Sequence, residues 1–146
     1  MKRFEERVTV DAPASTVFGY VSDFARHGEW AANRLTVAPT SDGPVAVGST
    51  FSTEAHQFGT QREKSTITDA TPSSLFAWDS SGALGQVHHW FSLSEEGGST
   101  TLTKGLELTK PSVLARVMGF KISRDTPKGL RADLVKIKAT VEGASP

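Results

Sequence analysis

Two adjacent histidines, His88 and His89, and one glutamate, Glu63, are the side chains in this sequence best suited to moving protons. All three fall in stretches that alternate as strands do, so neighbouring side chains point to opposite faces. Within Gln86–Ser94 the set Val87, His89, Phe91 and Leu93 is the more apolar, which puts His89 inside. His88 then shares the outer face with Gln86 and Ser92, and Trp90 on that same face is the residue that fits least well. Glu63, Ser65 and Ile67 share one face of their stretch; Arg62, Lys64, Thr66 and Thr68 share the other. If Ile67 faces the core, Glu63 does too. A carboxylate among apolar neighbours has a raised pKa and can serve as an acid or base. The plainer expectation is a hydrogen-bonded core histidine and a solvated carboxylate at a cavity mouth, because an isolated histidine rarely catalyses without partners.

Other chemistries are poorly served. There is no cysteine, which excludes disulfides, thiolate catalysis and cysteine zinc sites. His56, His89 and Glu63 would meet only by coincidence of packing, and no H-x-H or H-x-x-x-H spacing exists, so neither a metal nor another cofactor is expected. Sixteen basic and sixteen acidic residues give zero net charge, and no nucleic-acid partner is expected. Arg116, Lys121, Arg124, Lys128, Arg131, Lys136 and Lys138 make the C-terminal region basic, but Asp125, Asp133 and Glu142 interleave. That pattern reads as a solvated helix face. No apolar run approaches the roughly 20 residues that span a bilayer, and residues 1–10 lack a signal peptide's apolar core. No membrane insertion is expected, and the cytoplasm is the default location. The composition carries no signal of an oligomeric state.

The elements that must position these groups can be read in order. A length of 146 residues suits a single domain, residues 1–146, with no repeat or long linker. Phe4–Val10 alternates as a strand. Pro13 suits a helix start at Asp11 or Ala12, and Val17, Phe18 and Val21 follow at helical spacing. Ser22-Asp23 caps a second short helix through Phe24 to His27, ended by Gly28. Residues 38–48 read as a loop. Strands are expected at Asn33–Val37, Gly48–Ala55, Thr60–Asp69, Ser74–Asp79, Gln86–Ser94 and Thr100–Leu108. Their short separators suit antiparallel hairpins, since parallel pairing needs long crossovers. Thr109 is the expected cap of the final helical region, with Pro111 in its first turn. Val113, Leu114, Val117 and Met118 form an apolar stripe that Leu130, Leu134, Ile137 and Val141 continue. Pro127 interrupts it, so a kink near Asp125–Pro127, or two helices meeting there, is expected. The fold class is α+β: seven antiparallel strands curving around a long C-terminal helix, with two short helices after the first strand.

Four segments resemble the START-like, helix-grip superfamily, in its polyketide cyclase/dehydrase and SRPBCC branch. They are Val8-Thr9-Val10-Asp11-Ala12-Pro13 with Val17, Phe18 and Val21; Asp23-Phe24 through Glu29-Trp30; Gly48-Ser49-Thr50-Phe51; and Gly129-Leu130 with Leu134, Ile137-Lys138 and Glu142. The resemblance implies a ligand cavity between helix and sheet, and a small hydrophobic molecule as partner. It supplies no shared catalytic motif. Trp30, Phe51, Phe76, Trp78 and Phe91 are then the expected aromatic wall. Leu130 and Leu134 are expected from the helix, with Glu63, Ser65 and His89 as polar contacts. Three functions fit. The first is binding of a small hydrophobic or amphipathic ligand. The second is a cyclase or dehydratase in which His89 or Glu63 moves a proton. The third is a co-chaperone-like or regulatory interaction module, which would expose a large apolar patch.

Overall fold

The computed structural model describes residues 2–31, 35–55 and 60–144, except the side chains of Gln61 and Ala144. Seven strands form one antiparallel sheet: β1 (Arg3–Val10), β2 (Thr36–Pro39), β3 (Thr50–Ala55), β4 (Gln61–Thr71), β5 (Leu75–Gly82), β6 (Gly85–Glu96) and β7 (Ser99–Pro111). Their spatial order is β1-β7-β6-β5-β4-β3-β2, so β2 to β7 are laid down as consecutive neighbours and β1 returns to pair with β7. Helix α1 (Ala14–Val21) and a 3-10 helix (Phe24–Glu29) connect β1 to β2. Helices α2 (Val113–Val117) and α3 (Gly119–Ala144) follow β7. Register shifts between Ile67 and Asp69 and between Gln86 and Val87 mark bulges, which bend a strand and increase its twist. This is the expected helix-grip architecture.

Alternation decides what each strand contributes. Phe51 and Thr53 on β3, Ser65 and Ile67 on β4, Phe76, Trp78 and Ser80 on β5, and Phe91 on β6 are all buried. Leu102 and Lys104 on β7 join them. From α3, Leu130, Asp133, Leu134, Ile137 and Val141 recur every three or four residues and lie buried. The strands themselves run further than the alternation suggested, β7 reaching Pro111 and β6 reaching Glu96. The early strand lies at Thr36–Pro39; Asn33 of the expected Asn33–Val37, like His56 and the Phe58-Gly59 separator, falls outside the described residues.

The helical region departs from expectation in three ways. Thr109 is still in β7, and the helix cap is Ser112, whose hydroxyl accepts from the Ala115 amide at 3.2 Å and donates to the Ala83 carbonyl at 2.7 Å. Helix α3 passes through Pro127 without ending; the break falls instead between α2 and α3, at Met118. Pro127 has no N–H to donate to the carbonyl of Ser123, four residues earlier, and Ser123 is an exposed residue. Finally, Val113 and Val117 do not continue the buried stripe. They face solvent at 78% exposure each, because α2 packs its opposite side, through Ala115, against Leu108 and Ile122.

Candidate functional site

Between the sheet and α3 lies a hollow of about 150 Å³. Its aromatic end is made by Phe24, His27, Trp30 and Trp78. A second hollow of about 120 Å³ adjoins it, walled by Leu84, Val87, Leu108 and Ile122. Glu63, Ser80, His89, Leu106 and Thr126 line both, so a largely polar waist separates an aromatic chamber from an aliphatic one.

Strand register builds the waist. Trp78 stands opposite His89, and their rings stack with centroids 5.0 Å apart. Ser65 stands opposite Ser80 on the neighbouring pair. Ser80 Oγ lies 2.9 Å from His89 Nε2. Burial raises the pKa of Glu63, and a hydrogen bond with the Ser80 side chain partly offsets it. Ser80 thus contacts both titratable groups. A β-carbon at Gly82 would sit 2.8 Å from the Glu63 side chain, so the glycine leaves the room Glu63 occupies.

His89 is on the inner face as its neighbours implied, and His88 is on the outer face, 2.6 Å from Asp79. Trp90, the misfit of the outer face, escapes solvent by another route. It lies over Gly105, where a β-carbon would come within 2.2 Å of the ring, and the Arg3 guanidinium covers it at 4.4 Å.

Sequence reasoning missed two features. The first is His27, expected only as the end of a short helix. It is fully buried, with Phe24 and Trp30 at ring-centroid distances of 4.4 and 4.6 Å. Its Nε2–H donates to the Val21 carbonyl at 2.8 Å, which leaves Nδ1 as a bare acceptor. Burial above all holds its pKa down to about 3. The second is the ion pair of Lys104 and Asp133, 3.3 Å apart, with side chains only 6% and 11% exposed. Lys104 Nζ also stands 5.4 Å from the centre of the Trp30 ring. A cue was present in each case: Lys104 alternates in phase with Leu102 and Leu106, and Asp133 adjoins Leu134 on the helix stripe.

Of the residues expected at the site, Trp30, Glu63, Ser65, Trp78, His89 and Leu130 line the aromatic chamber. Phe51, Phe76, Phe91 and Leu134 do not. They are packed into the core behind it, Phe51 against Phe24 at 4.4 Å and Phe91 against Trp30 at 5.5 Å. Their inward direction was readable, but how deep each sits depends on the sheet's curvature. Three buried polar atoms around the chamber, His27 Nδ1, Trp30 Nε1 and His89 Nδ1, have no hydrogen-bond partner among the described residues. Among the described residues no group of three histidine, aspartate or glutamate side chains is placed to hold a metal, and no helix is long and apolar enough to cross a membrane.

Residues 1–142 match the family model described as "Polyketide cyclase / dehydrase and lipid transport". The chain belongs to that family. No curated protein matches it. Among solved structures, the Zhui aromatase/cyclase from Streptomyces sp. R1128 superposes with a TM-score of 0.72 at 17% identity, over 99% of this chain and 98% of that one. The protein TTHA0849 from Thermus thermophilus gives 0.76 at 15% identity, over 99% and 100%. The Aha1 dimer from Colwellia psychrerythraea gives 0.70 at 15%, over 99% and 100%. These identities establish a shared fold, and the variety of proteins on it leaves function to the site. In this member of the polyketide cyclase/dehydrase and lipid transport family, the histidines give the site a testable electrostatic signature.

Burial holds His89, like His27, well below the ordinary histidine range, with Lys104 adding to the effect in both. Unfolded, each binds a proton near pH 6.5; folded, each stays neutral to a lower pH. Stability from these groups is therefore complete above about pH 6.5 and is lost as pH falls toward the folded values. NMR ring resonances of His27 and His89 should stay constant from about pH 8 to 5, while urea midpoints fall with acid through the same window. A His89 that titrates freely near pH 6.5 would place it on the wrong face of β6.

Proposed function

We propose that this protein binds a small, mostly apolar ring compound in the aromatic chamber, anchored by hydrogen bonds at its edge. The observation that carries this reading is three buried atoms among aromatic walls that no described residue pairs. Leaving such an atom unsatisfied costs about 1–3 kcal/mol, so a ligand that pairs with it gains more than apolar burial alone provides. The polarity is partly fixed: Trp30 Nε1 is a donor, and His27 Nδ1 is an acceptor while Nε2–H holds Val21. The matching ligand edge carries both an acceptor and a donor, as adjacent carbonyl and hydroxyl groups do.

Size supports a small occupant. Cavities near 150 Å³ hold a benzene-sized molecule, whereas drug-sized ligands use about 300–1,000 Å³. The aromatic chamber fits one ring, and the adjoining aliphatic chamber admits a short extension past the waist. A second reading, a cyclase or dehydratase, is favoured by one specific contact, the Ser80 bridge between His89 and Glu63. In that reading either residue moves a proton to or from a ligand held in the chamber.

Ser65→Trp tests the binding reading. Ser65 is 2% exposed, lines the chamber and carries no ionisable group. An indole there should fill the space and weaken a single-ring phenol at least tenfold, measured by calorimetric titration, while a conservative Ser65→Ala protein binds normally. Unchanged affinity in Ser65→Trp would place the ligand elsewhere. Glu63→Gln, which removes none of the three anchoring atoms, should lower turnover under the enzyme reading and spare the binding under the first.

A further inference from the structure

The site explains the inner face of α3 but not the outer face of α2 and its junction with α3. There Val113, Val117 and Phe120 are 78%, 78% and 80% exposed, and Leu114 is partly so. The local packing forces this exposure. Ala115, the small residue of α2, is the one turned inward onto Leu108 and Ile122. Val113 and Val117, four residues apart, share the opposite side. The Lys2 ammonium, bonded to the Gly119 carbonyl and the Ser123 hydroxyl at 2.7 Å each, pins the segment from which Phe120 projects.

Charge gives this patch its partner. Residues 110–124 contain Lys110, Arg116, Lys121 and Arg124 and no acidic residue, within a chain of zero net charge. Arg124 also lies 5.9 Å from the centre of the Phe120 ring. The nearest acid in sequence, Asp125, is held by Arg124 at 2.9 Å. We propose that this patch docks the protein on the surface of an anionic lipid bilayer, with Val113, Val117 and Phe120 in the interfacial layer and the basic side chains at the phosphates. Apolar side chains projecting singly from a basic rim match that layer, which is fluid, apolar below and negatively charged above. A second copy of the chain would bring two like-charged rims together. The inner side of the same segment supplies Ile122 and Thr126 to the aliphatic chamber, so docking puts that chamber beside the acyl layer. Docking does not depend on the chamber being a ligand site.

Vesicle co-sedimentation tests this with the whole chain. Wild type should pellet with phosphatidylcholine vesicles containing about 30 mol% phosphatidylglycerol, should pellet at least tenfold less with phosphatidylcholine alone, and should lose binding as salt rises from about 0.1 to 0.5 M. Val117→Ser with Phe120→Ser should reduce binding at least tenfold. Arg116→Glu with Lys121→Glu should do the same while melting temperature and far-UV spectrum stay unchanged. Failure to pellet with anionic vesicles, or pelleting of both double variants equal to that of wild type, would overturn the proposal. So would concentration-dependent dimerisation that the serine variants abolish, since that makes the patch a protein interface.

Discussion

Leu134→Ala is expected to lower the unfolding free energy by about 2–5 kcal/mol, read as a fall in the urea midpoint at unchanged slope. Leu134 is 2% exposed and belongs to the main core with Ile137 and Val141. Truncation removes both its transfer free energy and its contacts, and the sheet on the far side cannot close the gap without losing curvature set by the bulges. The neighbouring Val135, 64% exposed, is the control: Val135→Ala should shift stability by less than about 0.5 kcal/mol. If Leu134→Ala also stays below about 0.5 kcal/mol, α3 is not gripped by the sheet in solution.

Asp133→Ala should be more damaging, at about 3–5 kcal/mol, because it strands the Lys104 ammonium without its counter-charge. The geometry makes this a desolvated pair: both side chains are nearly closed off, and Trp30 and Phe91 ring centres stand 5.4 and 5.7 Å from Lys104 Nζ. Combining Asp133→Ala with Lys104→Met should recover at least half of the loss, since an apolar side chain of similar length removes the stranded charge. A cost below about 1 kcal/mol for Asp133→Ala, or no recovery in the double variant, would mean that water reaches the pair.

The strands were legible because their periodicity is strong. Ile67 in phase with Ser65 and Glu63, and Phe91 in phase with His89, assigned the inner face of β4 and β6 correctly. Depth was not legible, because alternation gives a direction and no distance from the chamber; hence Phe51, Phe76 and Phe91 lie behind the wall. The ion pair was hidden because its partners lie far apart in sequence, on β7 and α3, and each looks ordinary alone. His27 was hidden for a related reason: its burial depends on strands β5 and β6 closing over a short helix. The outward turn of Val113 and Val117 was misread because an apolar stripe is normally buried, and only the packing of Ala115 reverses it.

The return of β1 to β7 governs the order in which the molecule can be made. Arg3 lies across from Glu107 and Val10 from Thr100, while the strands from β3 to β6 each pair with their immediate successor. Helix α3 seals the same seam, with Lys138 donating to the Thr9 carbonyl at 2.7 Å and Arg131 paired with Glu6. Of this sheet's strands, the earliest in sequence therefore waits longest for its neighbour. At about 5–20 residues per second, it waits roughly 5–20 s for β7 to be synthesised. During that interval the hairpins of the meander can close locally, while Phe4, Val8 and Val10 stay uncovered on a tethered strand. Four of the five residues from Arg3 to Arg7 are charged, and charged side chains are one way that an uncovered strand edge is blunted against pairing with another chain.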